Sequence, residues 1–448
     1  MKANLHGEHR RRQFKLGLPE IFWAAWLGLV SGTAAALVRL VFRALQWVFT
    51  QHTGMLPDAA ATLSPWRKLA TPVAGALLAA AVLALRRARA QRLARKPRPF
   101  IEYVSAVRLA HGRIPLIPNL WRTGSSAFSV ASGAAIGREG SMIQFAAAVT
   151  SATARKICER WPSAERFPTS LGVACGVAGG VATAYSAPLA GVFFAAEVAL
   201  GGLRRYEIVP LLCASCTGWL VSRLILGPGP LYAVHPELHL TPFEFVLLAI
   251  VALAMGMLGP LYQRLIRSLR AASKLPMALL WGGLAVGGLS LLDARVWGNG
   301  DVGLDAALGR IHGADGVLAM KGLMILLLLR LVATTICVGT GTVGGVFTPT
   351  LFAGAALGLA AGRLMHTQQP IVFAVLGMTC LIAAVTHAPL MATLMAVELT
   401  GDWRMLPLLL LGSLIAWQIA RRLSKEALYA LASEEPAEQH FPAPHEQE

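Results

Sequence analysis

The sequence predicts an all-α polytopic membrane protein made of two inverted-topology repeats of tilted and broken helices, on three observations. Only 14% of the 448 residues are charged, against about 25% in an ordinary soluble domain, and the mean hydropathy is +0.58. Apolar stretches close to the ~20 residues that cross a bilayer recur at 21–50, 66–85, 168–200, 207–227, 243–263, 275–292, 317–338, 350–364, 371–399 and 405–420. Several are too long for one crossing and too interrupted for two, so about a dozen or more helices are expected, some of them tilted or broken. The third observation is a repeat: 175–198, CGVAGGVATAYSAPLAGVFFAAEV, aligns without a gap with 376–399, LGMTCLIAAVTHAPLMATLMAVEL. Both contain Ala-Pro-Leu, and in both a glutamate falls nine residues after the proline, Glu197 after Pro188 and Glu398 after Pro389. Proline, leucine and an intramembrane glutamate in one register, 201 residues apart, indicate an internal duplication.

Taken in order, the chain begins with a basic N-terminus, 1–20, carrying Lys2, Arg10, Arg11, Arg12 and Lys15. The apolar run after it starts too late and runs too long for a cleaved signal peptide, so this segment is expected in the cytoplasm. The first membrane repeat, 21–226, contains a basic loop with Arg86, Arg87, Arg89, Arg92, Arg95, Lys96 and Arg98, a second cytoplasmic marker. Then come the stretch 133–144, GAAIGREGSMIQ, a polar interval at 155–169, and a run of small residues at 172–184 that suits close helix packing. A turn-rich linker, 227–242, joins the halves; no lysine or arginine occurs between Leu224 and Gln263, which places the linker outside.

The second membrane repeat, 243–432, has a basic interval at 264–274, a polar loop at 297–316 and a second glycine-rich break, GGVFTPTLF, from Gly344. Arg421, Arg422 and Lys425 return its end to the cytoplasm, and the Glu-, Pro- and His-rich tail 433–448 is expected to be disordered. A chain that is inside, outside at its middle and inside again crosses an odd number of times per half, which inverts one repeat relative to the other. Inverted repeats with broken helices are an architecture of channels and transporters, with the site near the midplane.

The net charge of +17 is spread over segment ends and lacks interleaved aromatics, so no nucleic-acid partner is expected. Of six cysteines, Cys213 and Cys216 form a C-x-x-C with no second pair and no nearby histidine; they read as small core residues, with no metal and no cofactor. No HExxH and no GxxxxGK occurs, and GNGD at 298–301 has no Tyr-Asp partner, so the alternative of an intramembrane enzyme is set aside.

A carboxylate in an apolar setting is expensive and usually kept for function, which makes Glu139 the candidate gate. An anion leaving water needs partial positive charge and hydrogen-bond donors that do not trap it. Backbone N–H groups at helix N-termini provide both, and glycines let the backbone approach. The segments 137–141 and 344–349 have this character, and Pro349 suits a first helical turn. Ordinary helix starts would read the same way; their matching places in both repeats favour an ion site.

These residues resemble the CLC family of chloride channels and proton-coupled chloride exchangers from about residue 20 to 432. GREG resembles the family's gating glutamate motif, GGVFTP its second anion-binding motif, YSAPLAGVFFAAEV the helix of its internal proton pathway, and Tyr429 in EALY its central tyrosine. The segments LSPWRKLATP and VWGNG look most like a bacterial, ClcB-type branch. The resemblance implies an anion site formed by Gly137, Arg138, Glu139, Gly140, Val346, Phe347 and Tyr429, a chloride or similar small anion as cargo, and a homodimer with one pore per subunit. It also implies a multi-pass protein of the bacterial inner membrane, in contact with lipid, with both termini cytoplasmic.

Three departures matter. The family's Gly-Ser-Gly-Ile-Pro stretch is replaced by RKPRP at 95–99, which removes the serine expected at the inner anion. Ser141 stands where the gate motif usually has proline, as in the fluoride-exporting branch, but that branch typically has glutamate where this chain has Val346, so chloride is preferred. Typical exchangers carry two adjacent glutamates where this chain has Glu197 and Val198. Val198 cannot relay a proton. The expectation is therefore a passive chloride channel gated by protonation of Glu139; the alternative is a chloride/proton antiporter that uses Glu139, with Glu197 on a non-standard inner proton path.

Overall fold

The computed structural model describes residues 17–92, 100–161, 167–227, 229–309 and 320–429. The RKPRP replacement at 95–99, the basic residues before 17 and the tail 433–448 lie outside them. Among the described residues there are seventeen α-helices and no strand, only one isolated β-bridge. A long α1 (Leu18–Thr50), α2 (Leu56–Thr62) and α3 (Pro65–Arg92) lead to the short α4 (Tyr103–Arg108) and α5 (Leu116–Ala131). The core of the first repeat follows as α6 (Glu139–Arg160), α7 (Thr169–Tyr185) and α8 (Pro188–Phe193), the last continued by a π-helical turn over Phe194–Leu200, and α9 (Arg205–Leu226) closes it. The second half runs α10 (Pro242–Arg267), α11 (Ala278–Leu292), α12 (Asp301–Ala307), α13 (Met320–Gly339), α14 (Phe347–Leu364), α15 (Pro370–Thr386), α16 (Pro389–Thr400) and α17 (Leu406–Leu423).

Six helices, α1, α3, α9, α10, α13 and α17, are long and apolar enough to cross a membrane. At 33 residues, α1 would measure about 50 Å at 1.5 Å per residue, well over the ~30 Å hydrocarbon layer, so it either tilts or extends beyond that layer. The helices of the repeat core are shorter. Thus α7 and α15 have 17 residues each and α16 has 12, which at 1.5 Å per residue leaves α16 about 18 Å long, too short to cross alone.

The duplication is visible in the backbone. Tyr185 ends α7 and Thr386 ends α15; the next residues, Ser186 and His387, are left-handed with φ 55° and 56°. Ala187 and Ala388 then share φ −128°, and Pro188 and Pro389 take the first helical position, where a proline leaves no intrahelical bond unmade. Each proline helix is then closed onto the other. The Glu398 carboxylate accepts the N–H groups of Leu189 at 2.9 Å and Ala190 at 2.8 Å. Glu197 accepts those of Leu390 at 3.4 Å and Met391 at 2.8 Å. A glutamate near the C-terminal end of each helix reaches the first turn of the other, which is possible only if α8 and α16 run antiparallel. The inverted relation predicted from charge bias is therefore present in the hydrogen bonding.

One expectation is corrected. Cys175, Cys337 and Cys380 are buried, but Cys213 is half-buried and Cys216 is exposed, so the C-x-x-C on α9 is not a pair of core residues. Both faces of a lipid-embedded helix are apolar, and hydropathy does not tell protein from lipid.

Candidate functional site

The two glycine-rich breaks meet. Gly137 N–H donates to Gly345 O and Gly345 N–H to Gly137 O, both at 2.7 Å, as an isolated antiparallel bridge. This sets the start of α6 beside the start of α14, so the unpaired amides of two first turns and their partial positive charge converge on one point. Further bonds hold the junction. Ser141 Oγ donates to Ser126 Oγ at 2.6 Å, and Ser126 Oγ in turn donates to Val343 O at 2.7 Å. Thr334 Oγ1 on α13 donates to Ala135 O at 2.8 Å. The hydroxyl that departs from the expected proline thus ties the two breaks together through α5.

Arg138, Glu139 and Gly140 lie at the start of α6, Val346 and Phe347 at the start of α14, and the bridge brings the two sets together. Gly137 enters differently from expectation: its amide is taken by Gly345, so it is not a free donor to an anion. What it contributes is space. A Cβ on Gly137 would fall 2.2 Å from Glu139 Oε2, so only glycine lets the carboxylate fold back over the chain here. Glu139 is 6% exposed, and its Oε1 accepts a hydrogen bond from Asn299 Nδ2 at 2.9 Å.

Outside Glu139 lies a cavity of about 340 Å3 whose wall includes Arg39, Arg43, Arg138, Tyr185, Tyr232 and Thr348. Arg39 is buried in α1, with Nη2 donating to Ala184 O at 2.5 Å and Thr183 O at 3.4 Å, the carbonyls that end α7 and carry the negative end of its dipole. Three guanidinium groups on one wall give this cavity a positive side, with Asp301 also in its lining.

On the other side of the junction a run of aromatic rings continues. Tyr185 and Phe347 are 5.2 Å apart between ring centroids, Phe347 and Phe194 6.4 Å, and Phe194 and Tyr429 5.6 Å. The Tyr429 turn is pinned where Leu428 N–H donates to Val385 O at 2.9 Å. Gln144 on α6 fixes the segment that follows 95–99: its Oε1 accepts Tyr103 N–H at 3.0 Å and its Nε2 donates to Ile101 O at 3.0 Å.

Glu197 lies away from this path, with its carboxylate on the first turn of α16. Val198 is 4% exposed in the apolar core; its carbonyl accepts from Arg108 Nη2 at 2.8 Å, and Ala199 O accepts from Arg108 Nε at 3.2 Å. Asp301 of the GNGD segment starts α12 and accepts Val302 N–H at 3.0 Å. No cluster of three His, Cys, Asp or Glu that could hold a metal occurs among the described residues.

Sequence reading missed Arg39, Tyr185, Gln144, Asn299 and Arg330. Arg330 carries a signal, a lone charge inside an apolar run, which in a membrane segment marks function or a buried partner; Arg39 shares its run with Arg43. Asn299 had none beyond its place in VWGNG.

Comparison with known proteins agrees with this geometry. The sequence model described as voltage gated chloride channel matches residues 79–421. The voltage-gated ClC-type chloride channel ClcB of Citrobacter koseri is 36% identical over 422 residues, 91% of this chain and 97% of that one. A putative chloride channel protein, ClcB-like, of Ralstonia nicotianae is 36% identical over 421 residues, 91% and 95% of the two chains. Among solved structures, a slow cyanobacterial Cl-/H+ antiporter has a TM-score of 0.77 at 22% identity, covering 94% of this chain and 98% of its own. A CLC-type fluoride/proton antiporter has a TM-score of 0.72 at 20% identity, covering 93% and 99%.

Proposed function

The chain belongs to the CLC family of voltage gated chloride channels, and from that membership we propose that this chloride transporter conducts passively and is gated by protonation of Glu139. The observation that carries the passive reading is the inner half of the proline helix. Val198 is apolar and buried, and both carboxylate oxygens of Glu197 are engaged with backbone N–H groups of α16.

Arg39, Arg43 and Arg138 concentrate anions in the vestibule. Chloride then exchanges its water for the amides at the starts of α6 and α14, Val346 and Phe347 among them. The ionised Glu139 carboxylate is drawn to the same positive field and competes with chloride. On protonation it loses its charge and that attraction, moves off, and leaves the position to the anion, which continues inward past Phe347 and Phe194 to Tyr429. Val346 favours chloride over fluoride as cargo. A homodimer in the bacterial inner membrane, with one path per subunit and both termini cytoplasmic, is part of the same proposal and rests on family membership and charge bias.

A second reading is favoured by one observation: both of these solved structures are described as proton antiporters. In that reading Glu139 carries the proton at the outer end, and the inner path bypasses Val198. Reconstitution into liposomes with a chloride gradient and a pH electrode separates the two. The expected result is chloride flux without uphill proton movement; protons driven uphill by chloride would sink the passive reading. Glu139→Gln is expected to conduct at all pH values, and an unchanged pH profile would remove Glu139 as the gate.

A further inference from the structure

The segment 293–300 is built with more care than a connecting loop between α11 and α12 needs. Arg330, on α13, is 2% exposed, and a buried guanidinium is costly unless its donors are satisfied. Here Nη1 donates to the carbonyls of Arg295 at 2.9 Å, Val296 at 3.0 Å and Trp297 at 3.3 Å, and Nη2 to Gly298 at 2.9 Å. One buried cation thereby shapes four consecutive carbonyls into a fixed turn. The turn is wedged against the first break. Trp297 is fully buried against Gly133, whose φ is +118° and where a Cβ would fall 2.5 Å from the indole; Gly298 N–H donates to Gly133 O at 3.4 Å.

What this turn presents to the site is Asn299. Its Oδ1 accepts Asp301 N–H at 3.3 Å, which assigns the amide orientation by its bonding and leaves Nδ2 to donate to Glu139 Oε1 at 2.9 Å. The charged and titratable groups around Glu139 are Arg138 on its own helix, Arg39 and Arg43 on α1, Tyr185 at the end of α7, Tyr232 in the linker, Asp301 on α12 and, inward, Tyr429. The three arginines act through the vestibule field and Asp301 opposes them. Asn299 touches the carboxylate itself.

We infer that Asn299 is the latch of the gate: held in place by Arg330, it secures the ionised Glu139 carboxylate in its closed position and so sets the pH at which the anion path opens. An amide donor to a carboxylate is roughly twice as strong as the same donor to a neutral carboxyl, so the bond discriminates between the two protonation states. Because the donor is uncharged, it adds no fixed cation that would retain the anion once the gate has left. Asn299 is a positioning residue; it acts through Glu139.

The inference rests on the gate reading above, and one set of proteins separates the two. Chloride efflux from liposomes is recorded against pH for the wild type, Asn299→Ala, Asn299→Asp, Glu139→Gln and the Glu139→Gln/Asn299→Ala double variant, each checked for monodispersity. Loss of one hydrogen bond to a charged group should raise the pH midpoint of activation by about one unit in Asn299→Ala. Asn299→Asp keeps an acceptor for Asp301 N–H while facing Glu139 with a like charge, so its midpoint should rise at least as far; if the alanine variant does not fold, this one decides. In the Glu139→Gln background Asn299→Ala should change nothing. A flat profile for Glu139→Gln together with wild-type midpoints for both Asn299 variants overturns the latch alone. A wild-type profile for Glu139→Gln overturns the gate and the latch together.

Discussion

The two proline helices, α8 with its π-helical turn and α16, share one design until just beyond their glutamates and then diverge. Both follow a left-handed residue and a proline, and both give a carboxylate to the first turn of the other. Both end at a left-handed glycine, Gly201 with φ 78° and Gly401 with φ 77°. Yet Gly201 is four residues past Glu197, and Gly401 is three past Glu398. The extra residue is taken up by the wider turn over Phe194–Leu200, the kind of π-helical insertion often found beside functional sites. The last carbonyls are also satisfied by different means. Arg108 serves Val198 and Ala199 with its guanidinium, whereas the linker serves the equivalent Leu399 and Thr400 with the N–H groups of Tyr232 at 2.8 Å and Val234 at 3.0 Å. What both copies keep is the interlock, a structural bond that Glu197 and Glu398 make alike. What only one copy has are residues that the proposed gating uses: Phe194 on the aromatic run, and Glu139 where the other break carries no carboxylate.

The sharpest way to break that division is at the unshared residue. Glu139→Gln should raise chloride efflux by roughly tenfold for each pH unit that separates the assay pH from the activation midpoint. Next come the shared residues. Glu197→Ala and Glu398→Ala each leave two helix N–H groups without an acceptor and should each lower stability by about 2 kcal/mol, seen as similar falls in thermal midpoint in detergent. Efflux per folded protein should stay within about twofold for both, since a difference under ~0.4 kcal/mol is all that twofold represents. If Glu197→Ala alone altered the pH profile, Glu197 would belong to the mechanism and the comparison would fail. The smallest effect is expected for Ser141→Pro: proline is tolerated in a first helical turn, and losing the Ser126 link should cost about 1 kcal/mol with no change in pH midpoint.

The fold was legible because its strongest rules are short-range or additive. Span length, charge bias and a proline–glutamate register survive in the sequence without knowledge of partners. The breaks were legible because glycine and proline are the residues such backbone needs. Glu139 was legible as a costly carboxylate, but its donor was not: Asn299 is 160 positions away, and nothing local links the two. Arg330 is a lone charge in its apolar run and was still missed, because the four carbonyls that justify it belong to a segment with no pattern of its own. Gly137 is expected among the anion-binding residues, yet its N–H is paired with Gly345 O, and a spare N–H in a sequence cannot be told from a paired one.

The crossed carboxylate caps also bear on how the protein is made. Ala190 leaves the ribosome 208 residues before Glu398, so during translation the first half enters the bilayer with the opening amides of α8 uncapped, in a medium where an unsatisfied N–H costs several kcal/mol. Neither half is a finished unit by itself. The two caps can therefore close only when both halves are present, so the N-terminal half alone lacks the acceptor for the opening amides of α8.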